Sequence, residues 1–313
     1  MQQQTNSQAR VIDPVLSEIA QGYKNAAMVG LNLFPPVPVA QRGGSIISFS
    51  KEDFALYNTG RSPGAATKRV QFGYVSGKYA LDQHALEAVA PWELQQEASA
   101  VAKINIASIA VRKTQNIIAL RLEKAQADLA TTAASYGAAN KITLSGTSQW
   151  SDFTGVSSPS KDIETAKEAI RSQTGKAGNL VVISAIVMAK LRQHPLIIDR
   201  IKYTGRDTVT PDLLAALWGV DQVVVGGAVY TDNAGAINDV WGKFVVVAYA
   251  QTGSVADLGE PTYGYTYRLD GAPYVEQGYQ DRNAKSDIYP VTDEVSPVLT
   301  AALSGYLISA AIA

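Results

Sequence analysis

The chain has 313 residues, of which 46% are hydrophobic and 18% charged, with a formal net charge of −1 and no cysteine. A chain of this length can bury a large core and divide into two or more lobes. Its near-zero net charge argues against a general nucleic-acid-binding domain, since such domains are usually strongly basic. The lack of cysteine excludes disulfides, thiolate metal sites and a cysteine nucleophile.

The first segment, residues 1–42, is predicted to be an irregular arm. It begins with the polar run MQQQTNSQAR, which has no apolar centre and is not expected to be a signal peptide. Residues 33–40 read LFPPVPVA, and the prolines there fix φ and remove backbone donors. This stretch is therefore predicted to be extended and to lie along a surface of its own chain or of a neighbour.

Residues 43–90 are predicted to form a long β-hairpin. The runs SIISFSKEDF (45–54) and KRVQFGYVSGKYAL (68–81) are rich in β-branched and aromatic residues, as strands usually are. The residues between them are rich in Gly, Pro and Asn, which favours a flexible tip. Because an isolated hairpin is only marginally stable in water, one this long is expected to lie against another surface.

The clearest helical pattern runs from Pro91 to Ala134. It contains no glycine and no second proline, and Pro91 suits the first position of a helix. Apolar residues recur at spacings of three and four, and an unbroken helix of this length would be a rod of roughly 60 Å. A coiled coil, a spine beneath other elements and a pair of helices broken in the middle all stay open. The following loop, 137–160, is expected to be docked by Trp150 and Phe153.

Short patterns in residues 161–285 alternate between helix and strand, and they predict a compact α/β lobe. One helix, 210–219, carries its own signals, with Thr210 as the N-cap and Gly219 as the terminating residue. The tail 286–313 returns to strand-like sequence. Its apolar end is shorter than a membrane-spanning helix and is predicted to be a buried strand or an edge element.

The apolar run VDQVVVGG (220–227) raises the question of a phosphate-binding turn. Gly226 and Gly227 are adjacent, whereas a dinucleotide-binding turn needs G-x-G-x-x-G between a strand and a helix. We therefore interpret the pair as a buried strand that meets a tight turn.

Other patterns of catalytic residues are also missing from the sequence. His84 and His194 have no second histidine at metal-ligand spacing, and His194 is expected to cap the C-terminal end of a helix. No G-x-S-x-G elbow and no H-E-x-x-H motif occurs. The sequence predicts no catalytic residue, no cofactor and no metal, and hence a protein that is not an enzyme. A soluble α/β enzyme stays as an alternative.

The order of these segments resembles the major capsid (coat) protein of tailed bacteriophages, which has the Hong Kong 97-type fold. Shorter stretches resemble successive parts of that family in the same order. These stretches are LFPPVPV (33–39), LSGTSQW (144–150), HPLIIDRIKYTG (194–205), LLAALWGVDQVVVGGAVY (213–230), VWGKFVVVAY (240–249) and PTYGYTYRL (261–269).

The resemblance implies an α+β, Hong Kong 97-like fold with five segments. They are an N-terminal arm (1–42), an extended β-hairpin loop (43–90), a peripheral domain with a long spine helix (91–160), an axial α/β domain (161–285) and a C-terminal strand that returns to the peripheral domain (286–313). The implied function is a structural subunit that self-assembles into pentamers and hexamers of an icosahedral head enclosing double-stranded DNA. The alternative on the same fold is the shell protein of an encapsulin-type nanocompartment.

The resemblance also implies partners. A portal and a minor capsid or decoration protein are expected, with no membrane contact. No charged helical segment of the fused-scaffold kind precedes the arm, so a separate scaffolding protein is expected. The protein is expected in the virion, after assembly in the host cytoplasm. The Lys–Asn crosslink of some relatives is not carried over, because no residues here match it.

The charges along the chain support contacts between subunits. Residues 41–80 hold six basic and two acidic residues, whereas residues 250–295 hold eight acidic and three basic ones. We hypothesise that Arg61, Lys68 and Arg69 in the hairpin of one subunit lie over Glu276 and Asp281 of the next, which would set register and encounter rate. The alternative is a coincidence of solvated faces. A wall near neutrality would also let DNA slide rather than grip it.

Overall fold

The structure is a computed structural model, and the description that follows covers part of the chain. The described residues are 13–21, 25, 27–48, 56, 60–61, 67, 75–101, 105–202, 208–251 and 261–313.

Eight α-helices lie within these residues. They are α1 (Pro14–Gln21), α2 (Gly30–Leu33), α3 (Trp92–Val101), α4 (Ile106–Thr131), α5 (Pro159–Thr174), α6 (Ala185–Leu191), α7 (Pro195–Ile201) and α8 (Pro211–Trp218).

Fifteen β-strands lie within the same residues. They are β1 (Pro36–Val39), β2 (Gly43–Ser48), β3 (Val75–Ala80), β4 (Asp82–Pro91), β5 (Lys141–Thr143), β6 (Leu180–Ser184), β7 (Gln222–Gly226), β8 (Val229–Thr231), β9 (Ile237–Asp239), β10 (Val245–Ala248), β11 (Gly264–Leu269), β12 (Tyr274–Val275), β13 (Tyr279–Asp281), β14 (Ser286–Leu299) and β15 (Gly305–Ser309).

A five-stranded sheet in the order β5-β15-β10-β6-β7 forms the centre of the α/β lobe. Every residue of β6 and β10 is buried, as expected for strands covered on both faces. Side chains alternate between the faces of a strand. Val181 and Ile183 therefore enter a core with α5, α6 and α8, while Leu180 and Val182 enter a second core with the end of α4.

A six-stranded sheet is organised around β14, the longest strand. Along one side β14 pairs with β4 over ten residues, and along its other side it pairs with β11, β12 and β13. The proline-rich strand β1 adds in parallel to β11, so the prediction that residues 33–40 are extended is confirmed for Pro36–Val39, whereas Leu33 ends helix α2. Helix α4 packs on this sheet through Val111 and Ile118, which contact a cluster that includes Val291.

Strands β2 and β3 form a separate two-stranded sheet. Within the described residues they pair only with each other. The base of this hairpin packs on the six-stranded sheet, where the rings of Tyr79 and Tyr267 stack with centroids 4.8 Å apart.

The predicted helix start at Pro91 is wrong. Pro91 is the last residue of β4, paired with Ser286, because pairing with the distant β14 outweighs its local preference for a helix start. Of the three alternatives for the helical pattern, the structure contains the pair of helices broken in the middle, α3 and α4. Asn105 has extended backbone and caps α4, its side chain accepting the Ser108 N–H at 3.1 Å. Helix α4 has 26 residues, which corresponds to a length of about 39 Å.

His194 does not cap the C-terminal end of a helix. Helix α6 ends at Leu191, and Pro195 begins α7, so His194 occupies the N-cap position of the next helix. The docking of the loop before α5 is confirmed at Trp150, which is fully buried, whereas Phe153 is 41% exposed. Trp150 donates its indole N–H to Asp162 at 2.8 Å.

Neither main sheet is contained within one predicted segment. All of strand β4 except Pro91 lies within the predicted loop segment 43–90, yet the strand pairs with β14. The C-terminal segment supplies β14 to the six-stranded sheet and β15 to the five-stranded sheet. The five boundaries themselves stay a prediction.

Candidate assembly surfaces

Gly226 serves close packing and not phosphate binding. It is the last residue of β7, and a Cβ atom there would lie 2.3 Å from Cδ1 of Trp241. Only glycine lets the indole approach the strand this closely, because such a distance is far inside van der Waals contact. The interpretation of a buried strand that meets a turn agrees with this geometry.

The same indole reaches a buried carboxylate at the centre of the molecule. Trp241 donates its indole N–H to Glu123 at 2.7 Å, and the backbone N–H groups of Val29 and Gly30 donate to the same carboxylate at 2.8 Å each. Glu123 is only 2% exposed. Burial raises its pKa, and the three hydrogen bonds oppose that rise. One side chain thus joins the arm, helix α4 and the α/β lobe.

A second buried contact joins α4 to the arm and to β11. Gln126 donates to the Thr266 hydroxyl at 2.8 Å, and that hydroxyl donates to the Phe34 carbonyl at 2.9 Å. Gly30 lies so near that a Cβ atom would be 2.1 Å from the Gln126 Oε1. The arm therefore follows α4 closely, and a larger residue at position 30 would displace the Gln126 amide.

The base of the β2–β3 hairpin is tied to β14 by a charge pair. Arg42 donates to Glu294 through two nitrogens, at 2.5 and 2.9 Å. The side chain of Glu294 is only 1% exposed. The hydrogen bond and charge of Glu294 raise the pKa of Arg42. Such a two-point contact holds the guanidinium in a fixed orientation.

Two of the acidic charges counted in residues 250–295 are therefore used within the chain. Besides Glu294, the buried Asp293 accepts a hydrogen bond from Arg268 at 3.1 Å, and burial raises its pKa. Arg42 likewise no longer counts toward a basic surface. The proposed charge contact between subunits must rest on the remaining residues.

An acidic groove lies on the face of the six-stranded sheet, between β4 and the β12–β13 connection. It has a volume of about 780 Å³, and the residues that line it include Glu87, Glu276, Tyr279, Pro290 and Thr292. The Tyr279 hydroxyl donates to Glu87 at 3.0 Å. The groove combines carboxylates with an aromatic wall, which is a suitable environment for a cationic side chain.

The predicted contact residues lie in different places. Glu276 lines the groove. Asp281 does not, because its carboxylate accepts the N–H groups of Asn283 and Ala284 in the turn after β13. Arg61 is exposed, and Lys68 and Arg69 lie outside the described residues.

Sequence reasoning missed Glu87. It lies in β4, which was assigned to the hairpin. The signal that could have found it is the acidic character of DQHALEAVAP, the sequence of β4, which carries no lysine or arginine.

His194 holds the loop that precedes α5. Ser157 donates its hydroxyl to the Asp152 carbonyl at 2.5 Å, so at 2.9 Å it accepts from Nε2–H of His194. The Phe153 ring meets the imidazole edge-on, with centroids 5.7 Å apart. Nδ1 of His194 is buried with no hydrogen-bond partner among the described residues. Burial lowers the pKa of His194.

Acidification is expected to weaken this contact. Because the folded pKa lies below the ordinary value of 6.5, the unfolded chain binds the proton first as pH falls, and the free energy of unfolding decreases. Between about pH 7 and pH 5, the native protein should lose more stability than His194→Gln, which keeps an N–H donor but does not titrate. Urea unfolding of both proteins measures this. Parallel pH profiles would show that His194 contributes nothing to the pH dependence.

None of the helices described here is both long and apolar enough to cross a membrane. Among the described residues there is also no cluster of three or more acidic or histidine side chains that could hold a metal ion.

The arrangement of elements defines the class of protein. An arm, a β-hairpin, a long helix on a sheet and an α/β lobe together form the Hong Kong 97-like capsid fold. The mature capsid protein of bacteriophage PhiM1 aligns with a TM-score of 0.53 at 14% identity, covering 92% of this chain and 87% of that one. An encapsulin from Synechococcus elongatus aligns with a TM-score of 0.52 at 11% identity, covering 95% and 94%. Both show a shared fold alone.

Closer relatives define the family. The family model for phage major capsid protein E matches residues 115–286, more than half of the chain. The major capsid protein of Burkholderia phage BcepMu is 38% identical over 310 residues, 97% of each chain. A phage-related protein from Bordetella bronchiseptica has a crystal structure with a TM-score of 0.82 at 43% identity, covering 97% of this chain and 98% of that one.

The chain belongs to the phage major capsid protein E family. It is a structural subunit of a phage capsid and a component of the virion, and this family is not a family of enzymes. The encapsulin alternative fits less well, because the relatives that share substantial sequence with this chain are phage proteins.

Proposed function

We propose that copies of this chain form the hexamers and pentamers of a closed icosahedral head that encloses double-stranded DNA. Assembly takes place in the host cytoplasm with a separate scaffolding protein and a portal, and a minor capsid or decoration protein completes the shell. Beyond membership of the family, one observation carries this proposal. The β2–β3 hairpin has no further strand partner within the described residues, and two strands alone are marginally stable.

The anchoring of the hairpin supports a role between subunits. The Arg42–Glu294 pair and the Tyr79–Tyr267 stack fix its base on its own sheet. The segment beyond this base keeps a surplus of positive charge, and the groove beside Glu87 and Glu276 is acidic. A hairpin fixed at one end can deliver its basic residues to the acidic groove of the next subunit without disturbing its own fold.

The overall charge suits a container for DNA. With a net charge of −1, the subunit has little surplus of cations to displace counterions from duplex DNA. The packaged genome is then held without tight binding and can be released.

Expression of the chain alone and with its scaffolding protein tests the proposal. Size-exclusion chromatography and negative-stain electron microscopy should show rings of five or six subunits, tubes or closed shells. Scaffolding protein expressed alone controls for particles that do not contain this chain. Monomers under both conditions would contradict the proposal.

A further inference from the structure

One edge of the six-stranded sheet is open. Strand β4 pairs with β14 through an unbroken register of ten residues, from Asp82–Val295 to Pro91–Ser286. On its other side, β4 has no strand partner within the described part of the chain. An edge of this kind presents a row of backbone donors and acceptors that another strand can use.

The residues opposite β4 show which of its backbone groups face outward. Glu87 lies opposite Pro290, which has no N–H, and the Pro290 carbonyl accepts the Glu276 N–H at 2.9 Å from the side of β12. Glu87 therefore forms no ladder hydrogen bond with β14. The hydrogen bonds to β14 are instead made at the even-numbered positions. Just beyond the end of β4, for example, the Trp92 N–H donates to the Lys285 carbonyl at 3.0 Å.

The open edge is continuous. Hydrogen-bonded and non-bonded pairs alternate along an antiparallel ladder. The backbone N–H and C=O groups of Gln83, Ala85 and Val89 therefore point away from β14, as those of Glu87 do. All four residues are exposed. None of their backbone N–H groups has another partner among the described residues. The four N–H groups and four C=O groups of these residues form a row of donors and acceptors along the edge.

The edge has little of the usual protection. Natural edge strands are protected by charged side chains, especially lysine, by proline, by a bulge or by a covering element. Strand β4 has two acidic residues but no lysine, its one proline stands at the end, and its register contains no bulge. Two large apolar side chains beside the edge, Leu86 and Val89, are 42% and 50% exposed. A bare edge of this kind in a native protein indicates a partner strand.

We propose that in the assembled shell a strand of the β2–β3 hairpin from a second copy adds to the β4 edge. This inference rests on the proposed function and makes it specific: the hairpin binds by β-strand addition, and its basic residues lie beside the acidic groove. The backbone row supplies affinity, and the side chains on alternate positions supply register.

Charge decides between the hairpin and another copy of β4. The acidic residues of β4 are Asp82 and Glu87, and the strand has no lysine or arginine. Two β4 edges would therefore pair strands of like charge, which is destabilising where those charges lie opposite each other. Strand β3 carries the exposed Lys78 and no acidic residue. A strand from the basic hairpin therefore matches the edge, and a second β4 does not.

Hydrogen–deuterium exchange tests the edge directly. The amides of Gln83, Ala85, Glu87 and Val89 should exchange at least tenfold more slowly in assembled shells than in free subunits. The exposed turn amide of Ala234, which already donates to Asp232, is the internal control and should change little. Equal exchange of the edge amides in shells and subunits would overturn the inference while leaving the shell itself, and so the proposed function, intact.

Proline substitution tests the same donors. Ala85→Pro removes an outward N–H and leaves the ladder with β14 in place, since proline is tolerated at edges where no donor is needed. The variant should fold with an unchanged far-UV spectrum and need at least tenfold more protein to assemble. Ala85→Val also changes the side chain but keeps the N–H, so it should assemble at a lower protein concentration than Ala85→Pro. Normal assembly of a folded Ala85→Pro protein would contradict strand addition. If this variant does not fold, the exchange experiment decides.

A charge swap tests the identity of the incoming strand. Glu87→Lys should raise the concentration needed for assembly, and Lys78→Glu in the same chain should restore it at least in part. Protection of the edge amides without any such restoration would overturn the assignment to β3 of the hairpin.

Discussion

Replacement of Glu123 by alanine is expected to lower the free energy of unfolding of the subunit by about 3–5 kcal/mol. The change leaves the N–H groups of Val29, Gly30 and Trp241 buried without the carboxylate that accepts them. It also opens a cavity between α4 and the α/β lobe. Since a domain has only about 5–15 kcal/mol of stability in total, the urea concentration at the midpoint of unfolding should be much lower for this variant than for the native protein.

Two matched variants separate the buried acceptor from a general effect of lost charge. Glu123→Gln keeps one acceptor oxygen but turns an amide group toward the donors, so its loss of stability should lie between those of the native and alanine proteins. Glu168→Ala removes an exposed carboxylate that pairs with Arg171, and its urea midpoint should not change. If Glu123→Ala were as stable in urea as Glu168→Ala, water would be replacing the carboxylate as the acceptor of these N–H groups. The contacts of Glu123 would then contribute little to the free energy of unfolding.

Features whose cause is local could be predicted from the sequence. Thr210 caps α8 by accepting the Leu213 N–H, and Gly219 ends that helix in the left-handed region at φ 60°. Both assignments need only the residues within one turn. Trp150 was also predicted to be docked, because a long loop with a large aromatic residue needs a packing site.

Features that depend on distant partners could not be predicted. Glu123 reads as a surface residue between Leu122 and Lys124, and its partners Val29 and Trp241 are 94 and 118 residues away. Pro91 has a local preference for a helix start, yet it ends a strand because β4 pairs with β14. Glu87 joins the acidic groove for the same reason.

The same limit applies to the charge hypothesis. Adding charges along a segment treats them all as surface charges, whereas Asp293 and Glu294 are buried in pairs with Arg268 and Arg42. What remains for a neighbouring subunit is a smaller and more local acidic site at Glu87 and Glu276. A short-range contact of this kind depends on position, and net charge is a poor measure of it.

Reversal of three hairpin charges tests whether position matters. The triple variant Arg61→Glu, Lys68→Glu and Arg69→Glu is expected to abolish shell formation at ordinary salt, while the free subunit stays folded. Like charges would then face the acidic groove of the neighbour, which slows encounter and disfavours the correct register. Negative-stain microscopy and sedimentation measure assembled particles, and circular dichroism of the subunit measures its folding.

A control triple variant makes the same change in net charge elsewhere. Lys161→Glu, Lys190→Glu and Arg192→Glu alter exposed residues of the α/β lobe and should leave shell formation largely intact. Equal loss of assembly in both triple variants would mean that net charge alone is responsible. Addition of Glu276→Arg and Asp281→Arg to the hairpin variant should restore shells in part, with most of the recovery coming from Glu276→Arg, because Glu276 lines the groove and Asp281 is held in its own turn. Normal shells from the hairpin variant would show that the basic hairpin does not recognise the acidic groove.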